Sequence, residues 1–150
     1  MASKRLFYLR QLKYSGLTEC DLLRVYKSPI RPICEYACPV WSTGLTSTLS
    51  EQIESIQKRA LKTIRPLDSY HKAFEYTQLE NLSERRKDIC FKLFKDMENP
   101  SHRLHCLLPD IHENPYHLRN TRKYQLPKCK TNRYKNSFVP WCIANERHTK

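Results

Sequence analysis

The sequence predicts an all-α fold, a small helical bundle followed by an irregular basic carboxyl-terminal extension. Three observations predict it. The helical period is the only hydrophobic period that recurs, and no alternating run of strand length is present. Glycine occurs twice in 150 residues, which disfavours Gly-rich phosphate loops, Rossmann turns and turn-rich β barrels together. Of the 34 Leu, Ile, Val and Phe residues, 28 fall in 1–108 and 6 in 109–150, so the front can build a core and the back cannot do so alone. The expected organisation is a helical domain at 1–108 and a basic extension at 109–150, packed on it or partly disordered.

The first helix carries Leu6, Leu9 and Leu12 on one face, with Ser3 as a cap and Gly16 placed as its C′ stop. Thr18 and Asp21 form a capping-box-like start for a second, whose Leu22, Leu23, Val25 and Tyr26 run to Ser28 and Pro29. Pro29, Pro32 and Pro39 make the next stretch a kinked or broken helix. Ile30, Ile33, Tyr36, Ala37, Val40 and Trp41 place the centre of the core there. Ser47 or Ser50 can cap the clearest helix, in which Leu49, Ile53, Ile56, Ala60 and Ile64 follow steps of four, three, four and four before Pro66 ends it. Ser69 precedes a short helix with Ala73, Phe74 and Tyr76. A longer one begins near Ser83, with Leu82, Ile89, Leu93 and Met97 on its apolar face and Asn99 and Pro100 at its close. Residues 101–108 read as a further turn or two, and 140–145 as a short helix. Ile33, Tyr36, Val40, Trp41, Ile53, Ile56, Ala60, Ile64, Ile89 and Leu93 are the expected buried set.

Lys and Arg number 27 against 15 Asp and Glu, a formal net charge of +12, which points to a polyanionic partner. Seven cysteines, an odd number without framework spacing, suit reduced thiols in an intracellular protein, nuclear or cytoplasmic. Cys34 and Cys38, one helical turn apart in apolar surroundings, read as core thiols. Arg10 and Lys13 interrupt any secretory h-region, and no transmembrane run is present, so no membrane partner is expected.

Polymerases and nucleases hold two metal ions with clustered carboxylates, because the metals clamp both attacking and leaving oxygens. The five aspartates here, Asp21, Asp68, Asp88, Asp96 and Asp110, are isolated from one another, so no catalytic residue and no cofactor is assigned. Glu51, Glu54, Glu75, Glu80 and Glu84 fall at polar helical positions and read as a solvated face. His102, His105 and Cys106 sit at i, i+3 and i+4, with His112 or His117 as a fourth group, but the spacing matches no closed structural zinc site and no metal is assigned.

From Asn114 to Asn145 there is no acidic residue, while Arg119, Arg122, Lys123, Lys128, Lys130, Arg133 and Lys135 are interleaved with Tyr116, Tyr124, Tyr134, Phe138 and Trp141. Cations neutralise phosphates and flat rings stack on bases, so this segment is a candidate nucleic-acid contact. On the polar face of the clearest helix, Lys58, Arg59 and Lys62 join it.

The order of segments RLFYLRQLK, GLTECDLLRVYKSPIRPICEYACPVW, LSEQIESIQKRALKTI, LENLSERRKDICFKLFKDM and LPKCKTNRYKNSFVPWCIANE resembles the carboxyl-terminal end of the reverse transcriptases of non-LTR retrotransposons, of the jockey kind. The similarity runs from about Lys4 to Glu146 and rests on the joint presence of Ile30–Trp41 with the QKRAL, SERR and RYKNSF blocks. The resemblance implies a helical thumb and a basic extension of an RNA-directed DNA polymerase, with the metal-binding palm and the endonuclease upstream. It therefore implies a part that is not an enzyme by itself and that grips template and primer by the backbone, with RNA, DNA or an RNA:DNA hybrid as partner. The expected nucleic-acid-binding residues are Lys58, Arg59, Lys62, Arg119, Arg122, Lys123, Tyr124, Lys128, Lys130, Arg133, Tyr134 and Lys135, with Tyr124 and Tyr134 as stacking groups and Trp41 and Trp141 buried. The alternative is a non-catalytic helical protein-interaction module with a basic tail.

Overall fold

A computed structural model describes residues 2–111 and 123–145. Among them the chain is all-α, with no strand and one isolated antiparallel bridge between Ile111 and Tyr124. Two compact units form, Met1–Ala37 with Leu45–Arg86, and Cys38–Gly44 with Lys87–Lys150.

In the first unit, α1 spans Ala2–Tyr14, so Ser3 lies inside the first turn and not at the cap. Its end is a Schellman motif: Gly16 at φ +86° donates its N–H to the Lys13 carbonyl, and Leu17 donates to the Leu12 carbonyl, satisfying two groups the last turn leaves open. Thr18 caps α2 (Glu19–Val25), its Oγ1 accepting the Asp21 N–H while its hydroxyl donates to the Asp21 carboxylate at 2.6 Å. The helix does not stop at Ser28 and Pro29. A π turn over Tyr26–Ile30 carries it into α3 (Arg31–Glu35), closed by the Arg31 N–H donating to the Tyr26 carbonyl. The wider turn takes in Pro29, whose ring would collide with the carbonyl four residues back in a regular α-helix.

The cap of α5 (Ser47–Ile64) is Thr46, one residue before Ser47 and four before Ser50, the two serines the sequence offers. Ser69 caps α6 (Tyr70–Thr77), as its position predicts. Helix α7 spans Leu82–Met97, and its N-terminal amides at Leu82 and Ser83 donate to the Glu54 carboxylate. Glu54 is thus a capping group and not part of a solvated face. Helix α1 packs along α5, and Leu6, Leu9, Leu22, Tyr26, Ile30, Ala60, Leu61, Ile64, Ala73 and Leu79 form one buried cluster. Cys34 and Leu82 form a smaller one with Ile33, Ile53 and Ile56.

In the second unit, α4 (Cys38–Trp41), the later part of α7 and α9 (Phe138–Asn145) supply Cys38, Cys90, Phe94, Cys142 and Ile143 to a cluster that Tyr124 joins, while α8 (Asn132–Lys135) buries none of its residues. Thr131 caps α8, a helix the sequence does not announce. Residues 101–108 hold a single 3-10 turn at His105–Leu107. None of the seven cysteines forms a disulfide, and Cys34 and Cys38 are core thiols.

The expected core needs correction at its centre. Tyr36 is 79% and Val40 85% exposed. The helix breaks at Tyr36, and Ala37 takes φ +48°, so the helical phase carried from Ile30 is lost before Val40. Ala60 and Ile64 are buried as expected, but Ile33, Trp41, Ile53, Ile56, Ile89 and Leu93 are only half-buried. Gln57, Leu61, Cys90 and Phe94 take the innermost positions of α5 and α7 instead.

Candidate nucleic-acid interface

The stripe that buries Ala60, Leu61 and Ile64 turns Lys58, Arg59 and Lys62 outward, and all three are exposed. Where α1 lies along this helix, a groove of about 410 Å³ opens, lined by Arg10, Lys13, Tyr14, Arg59, Lys62, Thr63 and Pro66. Four of its lining residues are cationic and none is acidic. Lys13 is committed to structure: its ammonium donates to the Thr63 carbonyl at 2.6 Å and to the Ile64 carbonyl at 2.9 Å. These are orphan carbonyls of the last turn of α5, where a cation also meets the negative end of the helix dipole. Arg10, Lys13 and Tyr14 escaped sequence reasoning, because only the packing of α1 on α5 brings them to Arg59 and Lys62.

On the other side of Lys62 a second recess of about 290 Å³ is lined by Lys58, Leu61, Lys62, Arg65, Pro66, Asp68, Tyr70 and Ala73. Its charges are largely matched. Lys58 stands over the Tyr70 ring at 5.3 Å, and Arg65 lies 3.9 Å from the Tyr76 centroid while pairing with Asp68 and, at 3.2 Å, with Glu19.

In the second unit the extension keeps Lys128, Lys130, Arg133 and Lys135 exposed, and Tyr134 half-exposed at 48%. Lys123 is exposed but donates to Glu98 at 2.7 Å, a bond that raises its ammonium pKa. Tyr124 cannot serve as the expected stacking group: it is 4% exposed, meets Phe94 edge-on, and donates its hydroxyl to Glu98 at 3.3 Å. Burial, with the Glu98 charge beside it, pushes its phenol pKa up. Arg119 and Arg122 lie outside the described residues, as do Tyr116, His112 and His117. Trp141 is half-buried and packs on Phe91 with ring centroids 5.2 Å apart.

Among the described residues no three His, Cys, Asp or Glu side chains stand together to hold a metal ion. The Nδ1 of His102 accepts the Leu104 N–H, and the Nδ1 of His105 is 2.9 Å from the Met97 carbonyl. Several carboxylates have structural tasks: Glu35 meets Arg85 at 2.6 Å and Arg31 at 3.6 Å, and Glu80 meets Arg85 at 2.8 Å. Among the described residues no helix is long and apolar enough to cross a membrane. No protein-family model, no curated protein and no solved structure matches the chain.

Proposed function

We propose that this chain corresponds to the helical thumb and basic extension of a non-LTR retrotransposon reverse transcriptase, and that it holds template and primer by their backbones. Nucleotidyl transfer belongs, on this reading, to a palm outside this sequence. The observation that carries it is the face of α5: Lys58, Arg59 and Lys62 are all exposed on one helix of 18 residues, beside a groove whose lining is cationic and free of carboxylates. A grip on a sliding duplex must ignore sequence, and phosphate contacts position a nucleic acid without reading its bases. The exposed Lys128, Lys130, Arg133 and Lys135 supply the same chemistry from the extension.

Titration of the full chain with an RNA:DNA hybrid at several salt concentrations tests the reading. If about five of these cations reach phosphates, log K should fall with log salt at a slope near −4.5, from roughly −0.9 per phosphate neutralised. Replacing Lys58, Arg59 and Lys62 by Ala should flatten the slope by up to about 2.7 units and weaken all sequences alike. Absence of binding, or binding indifferent to salt, would overturn the reading in favour of a helical protein-interaction module.

A further inference from the structure

The grip on a duplex leaves the groove between α1 and α5 without a stated occupant. Its volume of about 410 Å³ falls in the range of roughly 300–1,000 Å³ that encloses one small ligand, so a duplex can lie across its rim but cannot enter. One unpaired nucleotide can. Three features of the lining fit that occupant. Arg10 and Lys62 supply two cations that no hydrogen bond or ion pair engages among the described residues. Tyr14, the last residue of α1, is 79% exposed and has no ring partner among the described residues, so its face is open to stacking. The walls are fixed in advance, because the two Lys13 bonds tie the end of α1 to the last turn of α5. A preformed site loses less ordering entropy when it binds.

We propose that this groove is a single-strand site, which takes an unpaired nucleotide of RNA or DNA with its phosphate against Arg10 and Lys62 and its base on the Tyr14 ring. The inference deepens the nucleic-acid reading above and rests on it. A phosphate between two cations and a base on an aromatic face are the two elements of sequence-tolerant single-strand binding. The neighbouring recess, whose Arg65 is matched by Asp68 and Glu19, lacks the first of these.

The test is anisotropy titration of the full chain with labelled oligo-rU and oligo-dT of about ten nucleotides, in parallel with an RNA:DNA hybrid. Tyr14→Ala should weaken single-strand binding by about 5- to 150-fold at every salt concentration, and Tyr14→Phe should restore it. Hybrid binding should not change in either variant. Arg10→Ala with Lys62→Ala should flatten the single-strand salt slope by about 1.4 units, from roughly −0.7 per phosphate neutralised. Photocrosslinking of wild-type protein to 5-iodouracil oligonucleotide should label Tyr14, a readout that needs no variant to fold. Comparison of rU with dT shows which strand is held. Crosslinks only elsewhere, single-strand affinity unchanged in Tyr14→Ala, or equal loss on single strand and hybrid in Tyr14→Ala would each overturn the proposal. So would displacement by inorganic phosphate as effective as by unlabelled oligonucleotide, which would make the groove a plain anion site. The two readings fail separately: a hybrid that does not bind removes the duplex grip, whereas a groove indifferent to Tyr14 removes only the single-strand site.

Discussion

Tyr26→Phe removes one oxygen atom from the middle of the first unit and should destabilise the fold by about 1–3 kcal/mol. Tyr26 is fully buried, and its hydroxyl donates to Gln57 Oε1 at 2.7 Å, while Gln57 Nε2 donates to the Glu80 carbonyl at 3.0 Å. This relay ties the π turn to α5 and α5 to the segment before α7. The phenylalanine ring still fills the site, so the loss is polar: one hydrogen bond goes and a buried amide oxygen is left without its donor. Gln57→Leu strands the Tyr26 hydroxyl and the Glu80 carbonyl together. In the double variant only the carbonyl is stranded, so the two changes should fall short of additivity by roughly 0.5–3 kcal/mol. Burial holds the Tyr26 phenol well above its ordinary value, with Cys34 and nearby carboxylates adding to the shift. An unfolded tyrosine ionises near roughly pH 10, and the folded one resists. The unfolded chain therefore binds fewer protons above that pH, and stability that is fully present below it is lost as pH rises towards the folded value. This group contributes a decline of up to about 1.4 kcal/mol per pH unit, which Tyr26→Phe should remove. Urea titrations at neutral and alkaline pH measure both effects. Additive changes at Tyr26 and Gln57, or an alkaline decline identical in the variant, would refute the reasoning.

Leu9→Ala should cost about 2–5 kcal/mol in the same urea assay because Leu9 is completely buried, and Ile56→Ala less because that side chain is half-buried. Ala37→Gly should stabilise by about 1 kcal/mol, since a Cβ is unfavourable at φ +48° and Ala37 is exposed; a loss of stability would contradict this. Replacing Lys128, Lys130, Arg133 and Lys135 by Ala should flatten the salt slope for the RNA:DNA hybrid by about 0.9 unit for each phosphate no longer neutralised, and an unchanged slope would leave the extension as cladding. Glu98→Gln releases Lys123 from its ion pair and should steepen that slope by up to about 0.9 unit, while removal of this partly exposed pair changes stability by about 1 kcal/mol or less.

Features that are local in the chain were legible in it. Thr18 and Ser69 announce their helices because a short hydroxyl side chain satisfies amides two or three residues on, and Gly16 marks the end of α1 because only glycine takes its φ without strain. The cations of α5 were legible for a related reason, since an apolar stripe at helical spacing fixes which face looks outward. Tyr36 and Val40 were misplaced because a period says nothing across a backbone break, and the extended Tyr36 and left-handed Ala37 reset the phase. Gln57 and Glu54 look like surface residues in sequence; their partners, Tyr26 and the start of α7, lie 28 or more residues away. Tyr124 sits among cations in sequence and among Phe94 and Glu98 in space, so composition could not separate a stacking ring from a packing one.

The same separation applies to charge. A surplus of +12 makes a polyanion the natural partner, but it does not count the cations that can meet one. Lys13 completes the end of α5, Arg31 and Arg85 converge on Glu35, Arg65 is held by Asp68 and Glu19, and Lys123 by Glu98. These groups hold the structure, and a phosphate must compete with a partner already in place. Lys62, Arg10, Lys128, Lys130, Arg133 and Lys135 have no carboxylate partner among the described residues, and on the proposed reading each would neutralise a phosphate by displacing only water and counterions. The salt slope therefore measures the second set and not the net charge, which is why a change at Glu98, itself an anion of no direct use to a nucleic acid, should register in it.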